Sequence, residues 1–362
     1  MKLALPLPRL LSGPAWQPRA LRWVVADIAG VARQPEQDHR THLRASVEWL
    51  CRAQDSARQD GLSEGWSFAS GWLPATPAAT AALVETLWPA ADYLVWPELK
   101  GRARALCAAL LAQPDAASAE RVLGLIAAYA QLGETEALDR AAASGRLLLD
   151  TPLESPAAYA QAAWALAALG RVAGDRAFSD GARACVARVV GAATPCGWLP
   201  DPHLPVSTTQ TVTALRGLIE AAHALDDANG LRLAARGARA LRDQLEPNGR
   251  LAGAHDDGWT PASGHACVAG LARLACVWLR LAQIEGDPAW RDAAWRALAW
   301  IKRNQRRAGD DLALRDALPS TAPIWGGRAP FRLDSLTLKY FADALMMDMV
   351  GVAIPPTEYG SA

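Results

Sequence analysis

The sequence predicts an all-α protein built as an (α/α)6 toroid, a closed ring of inner and outer helices. Three observations lead there. Apolar residues recur at helical spacing along nearly the whole chain, whereas the alternation typical of strands is almost absent. A Gly-Trp loop returns as GWLP at 71–74, GWLP at 197–200 and GWTP at 258–261. Trp72 to Trp198 spans 126 positions, Trp198 to Trp259 spans 61 and Trp259 to Trp325 spans 66. The period is about one helical hairpin with its loops, the spacing of stacked helix pairs.

Amphipathic segments are expected at 17–33, 41–54, 76–95, 97–112, 116–132, 134–149, 155–173, 175–191, 207–225, 227–246, 262–284, 287–307 and 330–350, six pairs plus one. Ser155-Pro156 and Asp287-Pro288 each set a capping side chain before a proline at the first helical position, where the missing N–H costs nothing. Gly170, Gly174 and Gly286 fall where helices should stop. Each Gly-Trp loop follows a charged, outer-type segment and precedes a small-residue, inner-type one: TPAATAALVETL, STTQTVTALRGLIEAA and ASGHACVAGLARLACVWL. Small side chains let helices crowd around an axis, which favours a closed ring over an open solenoid. The expected organisation is one domain over 1–362, with 1–40 as an N-terminal helical extension. A ring of this kind gathers every inner-helix N-terminus at one mouth, each with about half a positive charge. Such a mouth favours anionic or hydroxyl-rich ligands.

Bulk properties narrow the partners. The 362 residues are 51% hydrophobic and 20% charged, with 37 basic and 37 acidic side chains, so no global field recruits nucleic acid. The most apolar stretch, ACVAGLARLACVWLRLAQI, is interrupted by Arg273 and Arg280 and falls short of a membrane span. Prolines and arginines break the N-terminal apolar run before a signal-peptide core is complete, so a cytoplasmic location is expected. Six dispersed cysteines without paired spacing are expected as free thiols. The expected partner is a glycan or small molecule; oligomeric state stays open.

Four stretches carry a family resemblance: WLCRAQDSARQDGLSEGWSFASGWLPATPAAT at 49–80, GWLPDPHLPVSTTQTVTALRGLIEAA at 197–222, GHACVAGLARLACVWLRL at 264–281 and APIWGGRAPFRLDSLTLKYFADALM at 322–346. With them the chain resembles the α/α toroids of the squalene/hopene cyclase and protein prenyltransferase type. Within that group it looks like the prenyltransferase/squalene-oxidase-repeat proteins found beside bacterial polysaccharide-assembly genes. The resemblance implies the toroid and a role near polysaccharides. No DxDD acid motif of a triterpene cyclase occurs, and a terpene-cyclase-like enzyme is the weakest reading. His265 and Cys267 are the compact pair that could begin a zinc site, but two helix positions two apart point about 200° from each other. No metal or cofactor is expected.

The richest polar stretch is AGAHDDGWTPASGH. A histidine beside carboxylates is the material of acid/base chemistry, and an Asx turn with a helix cap explains the same residues. Asp256, Asp257, His203, His265 and Glu64 are the candidate catalytic groups. Trp66, Trp259, Trp325, Arg328, Asp201 and His255 are the candidate substrate-binding groups, with loop tryptophans stacking on sugar faces or plugging hairpin ends. Trp278, Trp290, Trp295 and Trp300 recur at helical spacing and read as packing. The expected function is acid/base action on a bacterial polysaccharide or its precursor by hydrolysis, elimination or epimerisation. The alternative is a non-catalytic glycan-binding or scaffold toroid.

Overall fold

The computed structural model describes residues 17–29, 35–58, 61–201 and 205–351. Among these are thirteen helices: α1 (Pro18–Ala29), α2 (His39–Ser56), α3 (Pro77–Leu94), α4 (Glu98–Ala112), α5 (Ala119–Leu132), α6 (Thr135–Asp150), α7 (Pro156–Ala173), α8 (Arg176–Ala192), α9 (Thr208–Ala224), α10 (Ala228–Asp243), α11 (Val268–Glu285), α12 (Pro288–Asn304) and α13 (Ser335–Val350). Helices α3, α5, α7, α9, α11 and α13 pack each against the next, and α13 returns to α3, which closes an inner ring of six. Outer helices α4, α6, α8, α10 and α12 each pack on the inner helix before them in sequence. Helix α2, first of the ring in sequence, packs on α13, the last, so the first and last helices of the ring are joined. The all-α toroid is the fold.

Local chemistry explains the regularity. Every inner helix begins with a side-chain cap: Thr76, Ser118, Ser155, Ser207, Cys267 and Asp334 each accept a backbone N–H of the first turn. Four inner helices end on a left-handed glycine, Gly133, Gly174, Gly286 and Gly351. Close approach within the ring depends on missing side chains. A Cβ at Gly217 would sit 2.4 Å from the Ala160 carbonyl oxygen of α7, and one at Gly124 would sit 2.8 Å from Ala81 Cα of α3.

Two helix starts differ from the expected ones. Ala266–Cys267 and Arg332–Asp334 are extended because they pair with neighbouring loops, so α11 and α13 begin only at Val268 and Ser335. Seven short strands lie at the mouth end: β1 (Gly65–Ser67), β2 (Gly71–Trp72), β3 (Val206–Ser207), β4 (Ala254–His255), β5 (Ala266–Cys267), β6 (Thr321–Ala322) and β7 (Arg332–Asp334). All pair antiparallel, β1 with β2 and β7, β3 with β4, and β5 with β6. Since β3, β5 and β7 run straight into α9, α11 and α13, the pairs lace the mouth from α9 through α11 and α13 to the loop before α3. The loops before α5 and α7 are short and unlaced. Strands of two or three residues are too brief to show alternation, so periodicity missed them.

Buried charge crosses the seam. Lys339 Nζ of α13 lies 3.0 Å from Glu85 Oε2 of α3 and 2.8 Å from Asp343 Oδ2, and Thr86 Oγ1 donates to Asp343 Oδ1 at 2.7 Å. Burial works against the ammonium, but Asp343 and Glu85 outweigh it and hold the Lys339 pKa above its usual value. Nearby, Glu220 lies between Arg216 at 2.8 Å and Arg280 at 3.2 Å. Removing one partner of a buried pair costs about 3–5 kcal/mol. Lys339→Met should therefore lower stability by about that amount in urea unfolding, and adding Glu85→Gln and Asp343→Asn should recover most of it. An unchanged midpoint for Lys339→Met would show that the seam is held by packing alone.

Candidate functional site

The two GWLP loops and the GWTP loop feed α3, α9 and α11, and their tryptophans pack inward. Trp72 lies on Trp49 with ring centroids 5.1 Å apart. Trp198 and Trp259 meet edge to face at 4.9 Å, and Trp259 Nε1 donates to the Cys196 carbonyl. Trp66, Trp259 and Trp325 are all buried, and Trp66 meets Phe68 edge to face at 4.7 Å. The rings of Trp66, Trp198, Trp259 and Trp325 are buried as plugs of their loops and present no open face to a sugar, while Trp72 is half-buried. The left-handed residue of the turn is Gly71 or Gly197 in the GWLP loops but Trp259 itself in the third.

The polar candidates disperse along the rim. Asp256 Oδ1 accepts from the Gly258 and Thr260 N–H groups at 3.0 and 2.8 Å, an Asx turn that holds its carboxyl below the usual range. Asp257 and Arg328 are exposed. Glu64 lies 3.8 Å from Arg332 in a half-exposed pair. Asp201 is half-buried, and His203 lies outside the described residues. His255 is fully buried in β4, with Nδ1 3.4 Å from Thr208 Oγ1 and no partner at Nε2. Burial pushes its pKa down to about 4, so the ring is neutral and cannot act as a charged acid. His265 is half-buried and bracketed by glycines, since a Cβ at Gly253 would meet its Nε2 at 2.3 Å and one at Gly326 its Cβ at 2.6 Å.

A different set of groups converges below the mouth. A crevice is lined by Gln161 and Trp164 of α7, Thr213 and Arg216 of α9, Arg273 and Cys276 of α11, and Tyr340 of α13. These are the sixth and ninth residues of α7, α9 and α11 and the sixth of α13, so equal depth on successive inner helices builds one axial layer. The crevice measures about 390 Å³ in all but closes in until it has room for about one water molecule. Arg273 Nη1 donates to Thr213 Oγ1 at 2.7 Å, and its guanidinium lies 4.2 Å from the Tyr340 ring centroid. Among the described residues it forms no ion pair. The Arg216 guanidinium lies 5.5 Å from the Trp164 ring centroid.

Asp334 stands above this layer at the start of α13. It accepts from Leu336 N and Thr337 N and, at 2.7 Å, from Thr337 Oγ1. Burial pushes its carboxyl pKa up, against those bonds and the positive charge of Arg273. Cys267 Sγ caps α11 through Gly270 N at 3.1 Å and meets Thr209 Oγ1 at 3.1 Å, so the thiol serves as a helix cap. No group of three His, Cys, Asp or Glu suited to a metal ion occurs among the described residues, and no helix there is long and apolar enough to cross a membrane.

The sequence reading missed Arg216, Arg273, Tyr340 and Asp334. Their signal was present: Thr213 to Arg273 and Arg216 to Cys276 are both 60 positions, close to the loop repeat. Arginine inside an otherwise apolar helix is also costly to bury without a purpose. Two buried histidines, His42 and His255, have pKa values lowered to about 4, mainly by burial. Their depressed folded values mean that the unfolded chain binds more protons, so stability is full above about pH 6.5 and falls as pH drops towards 4. Each should contribute up to about 3 kcal/mol to that fall. Urea titrations between these limits should show a shallower pH slope for His255→Gln, and an identical slope would mean that His255 is already solvated.

No protein-family model matches the sequence, and no curated protein does either. Solved structures do. An unsaturated glucuronyl hydrolase from Bacillus sp. GL1, responsible for the degradation of glycosaminoglycan, matches with a TM-score of 0.73 at 15% identity, over 88% of this chain and 99% of its own. One specific for heparin matches at 0.71 and 12%, over 86% and 97%. An Asp-to-Asn variant from Streptococcus agalactiae, complexed with dGlcA-GalNAc6S, matches at 0.70 and 13%, over 88% and 93%. The chain thus shares the α/α toroid of these hydrolases across almost its whole described length.

Proposed function

We propose that the protein is a carbohydrate-active toroid that takes the acidic end of a glycan at the mouth of its inner ring. Arg273 is the observation that carries this. It is a guanidinium on the crevice wall, oriented by Thr213 and Tyr340 and without an ion pair among the described residues. An anion is the missing complement, and Arg216, whose partner Glu220 is shared with Arg280, leaves the surroundings net positive. Room for about one water admits a carboxylate but not a sugar ring, so the acidic substituent enters while the ring stays above, at the mouth. The glucuronyl groups named for the hydrolases of the same fold support an acidic sugar. The four stretches resembling prenyltransferase/squalene-oxidase repeats support a bacterial polysaccharide or its precursor as the source.

Asp334 is the group best placed for proton transfer. Its raised pKa suits a general acid, and His265, at the start of the neighbouring inner helix, suits a base. Glu64, Asp256 and Asp257 then serve the rim, by contacts to the outer sugar. One observation favours the non-catalytic alternative: Asp334 already accepts three hydrogen bonds as a helix cap.

An unsaturated glucuronyl disaccharide and its neutral counterpart separate the readings. Calorimetry should show binding of the acidic sugar alone, weakened about 30-fold by Arg273→Met, as expected for losing a charge-assisted contact of about 2 kcal/mol. Ultraviolet absorbance of the sugar double bond reports turnover. Asp334→Asn should abolish turnover and preserve binding. Binding without turnover by the unaltered protein would establish the binding toroid, and acidic-sugar affinity indifferent to Arg273→Met would overturn the proposal.

A further inference from the structure

Helix α1 turns an apolar stripe to solvent. Leu21, Val25 and Ile28 fall at i, i+4 and i+7 and are 41, 54 and 52% exposed, while Ala20, Trp23 and Val24 on the opposite face are buried. The buried face fastens the helix to the mouth end of the ring. Trp23 meets Phe68 edge to face at 5.7 Å, and Arg306 lies 4.6 Å from the Trp23 ring centroid. Asp27 takes Arg306 at 2.7 Å and the Ile324 N–H at 2.8 Å, and Arg19 pairs with Asp311 at 3.1 Å.

This fastening consumes the one carboxylate of α1. Beside the stripe Arg22 remains exposed. The chain as a whole is charge-balanced, yet residues 1–26 contain Lys2, Arg9, Arg19 and Arg22 and no aspartate or glutamate. An aliphatic stripe with a cationic flank and no outward carboxylate complements a bilayer surface bearing anionic headgroups. A second copy of the chain is a poorer fit, because a twofold contact through the stripe would set Arg22 against its own counterpart.

We propose that α1 docks the protein on an anionic membrane surface. The helix lies in the interface plane, Leu21, Val25 and Ile28 enter the acyl boundary, and Arg22 contacts headgroups. Because α1 rests on the rim loops, docking holds the mouth end towards the lipid. The contact is interfacial, not spanning, and does not depend on the identity of the mouth's ligand.

Flotation of the full chain with vesicles tests it, using phosphatidylcholine alone and phosphatidylcholine mixed with phosphatidylglycerol. The protein should float with the mixed vesicles and stay behind with the neutral ones, and added salt should weaken the association. Replacing Leu21, Val25 and Ile28 together by serine should lower partition by about tenfold or more, with thermal unfolding unchanged as the check on folding. Arg22→Glu should reduce partition into mixed vesicles. Three results would overturn the proposal: no flotation with mixed vesicles, equal flotation of the triple variant, or a lipid-free dimer that the triple variant dissolves.

Discussion

Lys339, buried between Glu85 and Asp343, is the point on which the ring turns. It sits where the last inner helix packs on the first, the contact that closes the six inner helices into a ring. Burying three ionisable groups at a seam is costly unless geometry is fixed. Fixed geometry is what the seam has, because Thr86 occupies a carboxylate oxygen of Asp343 and strand β7 pairs with β1 at the mouth end of the same junction. Electrostatic and backbone closure thus act at two depths on one joint.

The crevice follows from that closure. A closed ring sets the inner helices to a common depth, and side chains at equal offsets from their caps then meet on the axis. The same register that brings Tyr340 and Arg273 together would scatter them if one helix slid by a turn. The capping residues therefore shape the crevice indirectly: they fix where counting begins. Asp334 combines the two roles, as cap of α13 and as titratable group over the crevice.

The fold was legible because loops repeat and because small residues mark the inner helices. The site was less so. Arg273 and Arg280 were visible, but a single sequence shows them as interruptions of an apolar helix and gives no direction. Only the ring tells that one faces a crevice and the other a buried glutamate. The tryptophans misled in the opposite sense. A Trp beside glycine and proline suits a sugar platform and a loop plug equally, and burial decides for the plug at Trp66, Trp259 and Trp325. His255 illustrates a third limit, since its neighbours Asp256 and Asp257 suggest a charged site while the backbone carries the imidazole into a dry strand pair and the carboxylates out to a turn.

Glu220 and Arg280, the thirteenth residues of α9 and α11, lie one helical turn beneath the crevice and are almost wholly buried. They give the ring a floor. A polymer cannot thread such a ring from one side to the other, as it could a hollow sleeve. Whatever enters must withdraw by the opening through which it came, so a long chain can be engaged at its terminus and not along its middle. Under the proposed reading, the side of the mouth before α5 and α7, which carries no strand pairing among the described residues, is where the remainder of such a chain would trail.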